Sequence, residues 1–258
     1  MERYQVNIAY DGTNFQGFQK QGKGRTVQAE IEKVLQQLGW QGRSILFAGR
    51  TDTGVHARGQ VIAFDLDWAH GLKPLHKILD HDLPPDIAVQ NVKAADVDFQ
   101  PRFDAVAREY RYRIFFAPER DPLREHAEWR IWPAVDVELL NEAASRLVGV
   151  HDFAAFGSPT TKSGSTVRQI FVAEWQRQMD GVQFRVIANA FLYRMVRRLV
   201  YTQLRVAMGK LTLDAFTNAV NDPQALPPGL AKPHGLVLEK VYYPVDGLYL
   251  NGMKIPGK

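Results

Sequence analysis

One stretch organises the chain: Ile45-Leu46-Phe47-Ala48-Gly49-Arg50-Thr51-Asp52-Thr53-Gly54-Val55-His56-Ala57-Arg58-Gly59-Gln60-Val61-Ile62-Ala63-Phe64. Its two ends, residues 45–47 and 61–64, are short apolar runs typical of buried strands. Between them lies a polar loop with one carboxylate, two arginines, one histidine and three glycines. A loop held at both ends by core strands is a rigid platform, so the sequence predicts a functional site here.

Asp52, at the centre of this loop, admits several roles: nucleophile, general base, metal ligand or turn residue, since Asp and Gly are common in turns. Arg50 and Arg58 flank it closely in sequence. Arginine close to a carboxylate favours the ionised form, which is the form that attacks carbon. A loop that only reversed the chain would not need two cations and a histidine around one anion. The residues alone therefore favour a reactive carboxylate and leave its chemistry open.

The bulk composition narrows the class of protein. The chain has 258 residues, of which 45% are hydrophobic, as in a globular protein of one large or two smaller domains. It has no cysteine, which excludes disulfides and thiolate metal sites. No apolar stretch approaches membrane-spanning length, so we expect a soluble cytoplasmic protein. The net charge of +4 suits a polyanionic partner without identifying one.

The loop at residues 15–24 has a spacing close to that of a phosphate-binding loop, with Gly17 followed by Gly22-Lys23. Gly24 stands where Ser or Thr would hold magnesium, so we reject nucleotide binding. The cations of this region predict either a mobile loop that contacts RNA phosphates or an idle surface loop. They are Lys20, Lys23 and Arg25.

Periodicity and cap signals place the secondary structure. Helices are expected at residues 27–38, 73–80, 137–148 and 212–220, and a further one is expected to begin within residues 188–199. Strands are expected at residues 4–10, 60–66, 87–92, 108–116, 168–178, 182–189 and 235–243. This mixed order predicts an α+β fold in which helices cover one face of an antiparallel-rich sheet.

Two stretches of the second half carry arginines beside aromatic or apolar residues. In residues 108–116, Tyr110 and Tyr112 share one face, which fits either stacking on RNA bases or tyrosines that face the core. In residues 188–199 and beyond, an apolar helical stripe leaves four arginines elsewhere on the helix, which is also the pattern of a solvated face. These arginines are Arg194, Arg197, Arg198 and Arg205.

The string Gly49-Arg50-Thr51-Asp52-Thr53-Gly54-Val55-His56-Ala57, followed by Gln60-Val61, resembles the signature loop of the tRNA pseudouridine synthase A family. Phe191-Leu192 with Met195-Val196-Arg197 resembles a second motif of that family. The resemblance implies that Asp52 is the catalytic nucleophile, that Tyr110 lies over the target base and that Arg197 pairs with Asp52. Arg194 departs from the family, where histidine is common, and so does Tyr201, where glycine is common.

The resemblance also implies the architecture: two ferredoxin-like halves that share one mainly antiparallel sheet with helices on one face, with the active cleft between the halves. Residues 1–104 would carry the Asp52 loop, and residues 105–258 would carry the Tyr110 strand and the Arg197 helix. The implied working unit is a homodimer.

The implied reaction is the isomerisation of uridine to pseudouridine in the anticodon stem-loop of tRNA, at tRNA positions 38 to 40. Asp52 would attack either C1′ of the ribose or C6 of the base, and the sequence leaves both open. No metal, nucleotide or redox cofactor is needed at any step. We assign further substrate contacts to Arg50, His56, Arg58 and Arg168, with Arg58 filling the gap left by a flipped uridine.

Two other functions fit parts of the pattern. A non-catalytic RNA-binding protein on a related sheet would show the aromatic and basic residues but would have no use for the Asp52 loop. A metal-dependent hydrolase could use Asp52 and His56, although no third ligand cluster is evident in the sequence.

Overall fold

In the computed structural model, the described residues are 1–159, 161, 163–222, 226–244, 249–250 and 253–254. They form two compact units. The first contains Met1–Val106 together with the described residues from Val237 onward, and the second is Ala107–Leu236. The last long strand therefore lies largely in the first unit, and the expected functional division into residues 1–104 and 105–258 stays a prediction.

The secondary structure follows the order expected from the sequence. The helices are α1 (Val27–Gln37), α2 (Leu72–Asp82), α3 (Val137–Ser145), α4 (Met195–Ala207) and α5 (Leu213–Asn221). The first strands are β1 (Glu2–Tyr10), β2 (Leu46–Phe47), β3 (His56–Leu66), β4 (Ile87–Ala95), β5 (Ala107–Phe116) and β6 (Trp129–Ile131). The others are β7 (Gly149–Asp152), β8 (Val167–Gln178), β9 (Gly181–Ala188), β10 (Leu236–Tyr242), β11 (Tyr249–Leu250) and β12 (Met253–Lys254).

In the first unit, β1 lies between β4 and β3 and is antiparallel to both. β2 is antiparallel to β3, and β10 runs parallel to β3. Alternate residues of β1 are buried because every second side chain of a strand points to the same face. Those residues are Tyr4, Val6, Ile8 and Tyr10. Helices α1 and α2 contact each other, as expected for helices that share one face of a sheet.

In the second unit, β9 lies between β5 and β8, β7 lies on the other side of β8, and these neighbours are all antiparallel. β6 is parallel to β5. Helix α3 contacts both α4 and α5. The side chain of Asn141 on α3 binds both the N–H and the C=O of Trp175, so a helix satisfies the backbone groups of β8 beyond the end of β7.

These observations confirm the predicted α+β fold with mostly antiparallel strands. The finer expectation, two ferredoxin-like halves with an active cleft between them, stays a prediction. None of the described helices is long and apolar enough to cross a membrane.

Some boundaries differ from the sequence prediction. The strand expected at residues 45–47 is reduced to the two residues of β2. The helix expected to reach residue 148 ends at Ser145, because the N–H groups of Leu147 and Val148 donate to carbonyls only three residues back and tighten the last turn. Strand β7 follows directly and was not predicted.

We predict that the Arg3–Asp65 pair stabilises the pairing of β1 with β3 in a pH-dependent way. Arg3 Nε and Nη2 donate to the two Asp65 carboxylate oxygens at 2.7 and 2.8 Å, and the two residues are cross-strand partners. Hydrogen bonding to Arg3 lowers the pKa of Asp65. Since the Asp65 side chain is 39% exposed, we discount the effect for screening. Asp65→Asn should lower the free energy of unfolding at pH 7 by about 1 kcal/mol.

A carboxyl with a depressed folded pKa stabilises the protein above its unfolded pKa, and this contribution is lost as the pH falls through the folded value. The difference between wild type and Asp65→Asn in urea unfolding should therefore shrink below about pH 4. Asp67→Asn is the matched control, because the Asp67 side chain is 97% exposed. A difference that is constant with pH would contradict the assignment.

Candidate active site

The Asp52 loop connects β2 to β3, and its ends are tied to β3. The Ala48 N–H donates to Val61 O at 2.9 Å, and the fully buried Gln60 side chain donates from Nε2 to Gly49 O at 2.7 Å. At the tip, the Val55 N–H donates to Asp52 O at 3.1 Å. Asp52 itself is half-buried. The carboxylate therefore sits in a closed turn whose two ends cannot move independently of the sheet.

The segment between β1 and α1, residues 11–26, holds the loop from its other side. The Phe18 N–H donates to Thr51 O at 3.1 Å, and the Gly54 N–H donates to Phe15 O at 3.3 Å. The hydroxyls of Tyr10 and Thr51 form a buried hydrogen bond of 2.8 Å. Phe15 and Phe18 are 1% and 0% exposed. Thr51 and Gly54, on either side of Asp52 in the loop, are thus held by contacts with buried residues.

Two glycines allow this close approach. A Cβ added at Gly12 would lie 2.0 Å from Val55 O. Gly17 has φ +88°, and a Cβ there would lie 2.8 Å from Thr51 O. Neither position accommodates a side chain unless the backbone of the Asp52 loop moves.

Two of the three cations of this segment, Lys20 and Arg25, bind carboxylates of the same unit, and the contact of this segment with RNA stays a prediction. Lys20 Nζ lies 3.1 Å from a carboxylate oxygen of Glu32, whose side chain is 2% exposed. Arg25 binds Asp86 through two hydrogen bonds and Glu30 through one, and it also lies over the Phe15 ring at 4.2 Å. The hydrogen bonds to Asp86 and Glu30 raise the pKa of Arg25 despite its partial burial. These cations hold the segment in place.

His56, the first residue of β3, is 8% exposed and turns one ring nitrogen to the same segment. Its Nδ1 lies 3.0 Å from the Gly12 N and 3.1 Å from Asp11 Oδ1. Gly12 can only donate, which requires a lone pair on Nδ1, whereas Asp11 can only be bound by a protonated Nδ1. The two contacts are therefore alternatives, and either one uses Nδ1 inside the protein. A substrate contact of His56 stays a prediction.

The two arginines of the loop are exposed. Arg50 lies at the surface, and the Arg58 side chain is 54% exposed with Nη1 3.7 Å from Glu239 Oε1. That distance is a loose ion pair, beyond a normal hydrogen bond. The other oxygen of Glu239, Oε2, is buried without a hydrogen-bond partner among the described residues. Arg58 is therefore the more weakly held partner of this pair.

The second unit presents Tyr110 and Tyr112 in different ways. Tyr112 is completely buried and its hydroxyl donates to Lys232 O at 2.6 Å, so the interpretation of a core-facing tyrosine is correct for it. Burial raises the pKa of Tyr112 well above the ordinary tyrosine value, and the charge of Arg197 opposes this only in part. Tyr110 is 9% exposed and meets Phe191 edge to face, with ring centroids 5.1 Å apart. Its ring is held by an aromatic neighbour.

Arg197 is the third residue of α4 and is anchored through both backbone and side chain. Its Nε donates to Ala231 O at 2.9 Å, and the Ala231 N–H donates back to Arg197 O at 3.2 Å. Such a reciprocal pair restricts the guanidinium to a narrow range of positions. The arginine is therefore not part of a freely solvated helix face.

Arg168 lies near the start of β8 and is bound to its own chain. Its Nη1 donates to Ser165 O at 2.9 Å and to Val167 O at 2.6 Å, while Nε is buried without a partner among the described residues. Burial lowers the pKa of Arg168. The predicted substrate contact of Arg168 stays a prediction.

The structure brings four of the predicted site residues, Arg50, Asp52, His56 and Arg58, together in and beside one loop of the first unit. Sequence reasoning did not identify the residues that support this loop: Tyr10, Gly12 and Phe18 carried no such prediction, and Thr51 and Gln60 were named only as parts of the motif. The sequence gives only a partial indication of these residues, because some of them are polar side chains next to apolar runs. The described residues contain no cluster of three or more His, Asp or Glu side chains placed to hold a metal ion.

We predict that the close approach at Gly12 is required for stability. Gly12→Ala should lower the free energy of unfolding by about 1–3 kcal/mol, because the new methyl group meets a backbone oxygen that cannot rotate away. Gly22→Ala is the matched control in the same segment, since an added Cβ there has no atom within 4 Å. Urea unfolding measures both. Equal stability of the two variants would show that Gly12 is not under this constraint.

Comparison with known proteins identifies the relatives of this chain. A family profile described as tRNA pseudouridine synthase matches residues 7–104 and 143–244. A tRNA pseudouridine synthase A from Geobacillus sp. (strain WCH70) is 41% identical over 246 residues, which cover 94% of this chain and 98% of the relative. The tRNA pseudouridine synthase A of Bacillus subtilis (strain 168) is 38% identical over 244 residues, covering 93% of this chain and 99% of the relative.

A third relative, the tRNA pseudouridine synthase A of Chloroflexus aurantiacus (strain ATCC 29366 / DSM 635 / J-10-fl), is 41% identical over 244 residues, covering 92% of this chain and 87% of the relative. The matches extend over both compact units and include the Asp52 loop and the start of α4. They confirm the resemblance found in the two sequence motifs: the chain belongs to the tRNA pseudouridine synthase family.

Proposed function

We propose that this protein isomerises uridine to pseudouridine in the anticodon stem-loop of tRNA, with Asp52 as the nucleophile. The observation that carries the proposal is the fixed backbone on both sides of Asp52, in a loop that matches the family motif. A carboxylate that attacks carbon must be held close to its reactive position before the substrate arrives. Buried hydrogen bonds to Thr51 and Gly49 provide this restraint.

The reaction needs no external reactant. The bond between N1 of the base and C1′ of the ribose breaks, and a bond between C5 and C1′ forms. C5 loses its proton and N1 gains one, so atoms and electrons balance without an oxidant or reductant. Attack of Asp52 at C1′ would stabilise the positive charge that develops on the sugar, and attack at C6 would form an adduct with the base. Both routes use the same ionised carboxylate.

The second unit supplies two further side chains in the proposed reaction. Tyr110 stacks on the target base, and Arg197 keeps Asp52 ionised and oriented. The contacts of these residues support the roles, because Tyr110 is held against Phe191 and Arg197 is held on Ala231. Groups that are immobile before binding lose little conformational entropy in the transition state.

The substrate is a structured polyanion, and the proposal includes how the protein reaches a uridine inside a stem. A stacked base is inaccessible, so the target uridine has to leave the helix. Arg58 is long, half-exposed and loosely paired, which suits a side chain that moves into the vacated space. Arg50, His56 and Arg168 are proposed to contact the substrate around it. We further propose that the protein works as a homodimer in the cytoplasm, without a metal or an organic cofactor.

The test of the reaction is tritium release from tRNA that carries [5-³H]uridine, in the presence of EDTA. We expect wild type to release tritium, because C5 exchanges its proton for a bond to C1′. Asp52→Asn should release none while it still binds tRNA, because an amide cannot act as the nucleophile. Asp67→Asn removes an exposed carboxylate from the same unit and should behave as wild type.

Absence of release from wild type despite tight, salt-sensitive binding would leave the non-catalytic RNA-binding function. If Asp52→Asn still released tritium, the isomerase activity would stand but Asp52 would not be its nucleophile. Release that requires a metal and is abolished by EDTA would contradict the proposal that no metal takes part.

The role of Arg58 can be separated from general phosphate binding. Arg58→Ala should lower kcat/KM roughly tenfold on a stem whose target uridine is paired, because the unstacked state loses the side chain that fills the gap. The loss should be much smaller when the target uridine faces a mismatched base, which is already easier to extrude. Lys33→Ala, at an exposed position of α1, is the control. An equal loss on both substrates would indicate ordinary charge attraction.

A further inference from the structure

Immediately before α4, Tyr193 and Arg194 form an exposed aromatic–cation pair. The Arg194 guanidinium carbon lies 4.7 Å from the centre of the Tyr193 ring. Tyr193 remains 50% exposed although Arg194 covers one face of its ring. The Arg194 side chain makes no ion pair and no hydrogen bond with any other residue that the structure describes. Both side chains are accessible at the surface of the unit.

The backbone of Arg194 is unusual. Its φ is +62°, and it is the only residue other than glycine with a positive φ in the described part of the chain. Arg194 also occupies the cap position of α4 without a capping hydrogen bond from its side chain, whereas Thr26, Asp136 and Thr212 cap their helices in this way. Glycine or asparagine would suit this conformation better than arginine. Arginine is thus retained at a local cost, which is typical of residues that serve a function.

The neighbouring backbone is fixed. The Tyr193 N–H donates to Ser158 O at 2.9 Å, and these two residues form an isolated β-bridge. A Cβ added at Gly157 would lie 2.8 Å from Leu192 Cβ and 2.9 Å from Tyr193 O. The segment at residues 157–158 is therefore packed closely against the backbone that carries the pair. The Tyr193 ring is presented from a rigid support.

The pair shares its segment with the proposed catalytic residues of this unit. Phe191, two positions before Tyr193, is the ring that meets Tyr110 edge to face. Arg197 follows Arg194 by three positions at the start of α4. A nucleotide that reached Tyr110 would bring its neighbours in the RNA chain to this segment.

We infer that Tyr193 and Arg194 bind an unpaired nucleotide of the tRNA other than the target uridine. This inference rests on the proposed function. The base stacks on the ring face that Arg194 leaves open, and Arg194 neutralises a phosphate of the same stretch of RNA. Aromatic rings backed by arginine are the usual means of holding unpaired bases, and they accept any base because every base has a π-face.

The identity of residue 194 matters for this contact. Arginine carries its charge throughout the physiological pH range, while an unperturbed histidine is mostly neutral at pH 7. This chain therefore holds its phosphate contact with a permanent charge. At pH 7.5 the salt dependence of RNA binding should correspond to one more phosphate contact in wild type than in an Arg194→His variant.

The test uses an anticodon stem-loop RNA with [5-³H]uridine, and it compares Tyr193→Ala and Arg194→Gly with wild type in the full chain. Tyr193→Ala should raise KM roughly 5- to 100-fold, more than it lowers kcat, because one base loses its stacking partner. Arg194→Gly should also raise KM and should reduce the slope of log Kd against log salt by about 0.7. Its thermal midpoint should equal or exceed that of wild type, since glycine adopts a positive φ without strain. Lys210→Gln, an exposed cation of the same unit, should leave KM unchanged.

A purely structural role predicts the opposite pattern. If Arg194→Gly kept the KM and salt slope of wild type, and Tyr193→Ala kept its KM, the inference would be wrong while the isomerase activity stood. If wild type released no tritium, the proposed reaction would fail, and direct titration of the same RNA would still decide the binding role. Should Tyr193→Ala fold poorly, Arg194→Gly decides the question alone.

Discussion

The site of this protein depends on buried hydrogen bonds that hold one loop from two directions. Thr51 is bound through its hydroxyl by Tyr10 and through its carbonyl by Phe18, and Gln60 binds the loop at Gly49. Buried polar groups are costly to leave unpaired, so each of these bonds resists displacement of the loop. Asp52 follows Thr51 directly. The position of Asp52 is therefore set by the groups that hold the backbone on both sides of it.

The arginines show how little the net charge says about where RNA binds. Arg25 is held by Asp86 and Glu30, and Arg185 is held by the buried Glu109. Removing either arginine would leave a partly or fully shielded carboxylate without its partner, so these cations are required within the fold. The net charge of +4 is small, so it does not by itself locate an RNA-binding surface. The informative cations are those that the fold does not already pair with a carboxylate. Among the described residues, Arg58 is loosely paired and the Arg194 side chain binds no carboxylate, so these two exposed arginines are the better candidates for contact with a polyanion.

The sequence predicted the elements and the position of the Asp52 loop because both rest on local patterns. Strand β1 alternates, α1 has its cap at Thr26, and the loop motif is contiguous. The support of the loop was not predictable in this way, since Tyr10 and Thr51 are 41 positions apart and the motif that contains Thr51 does not indicate its partner. For the same reason Arg25 was assigned to RNA: its partner Asp86 is 61 positions away. Hydrophobic periodicity predicts which face of an element is buried, but it does not predict which distant segment packs on that face.

Departures from local rules separate two kinds of constraint in this chain. Gly12 and Gly17 follow the usual preference for glycine where two backbone segments come close together. The constraint at these positions is one of packing, because an added side chain would meet the neighbouring backbone. At Arg194 the sequence departs from the local rules, since a residue other than glycine occupies a positive φ. Such a conformation costs roughly 1–3 kcal/mol, which is less than the typical free energy of unfolding of about 5–15 kcal/mol. The contact of Arg194 with the exposed Tyr193 ring offsets part of this strain, and an exposed arginine stacked on an exposed tyrosine also has the chemistry to bind RNA.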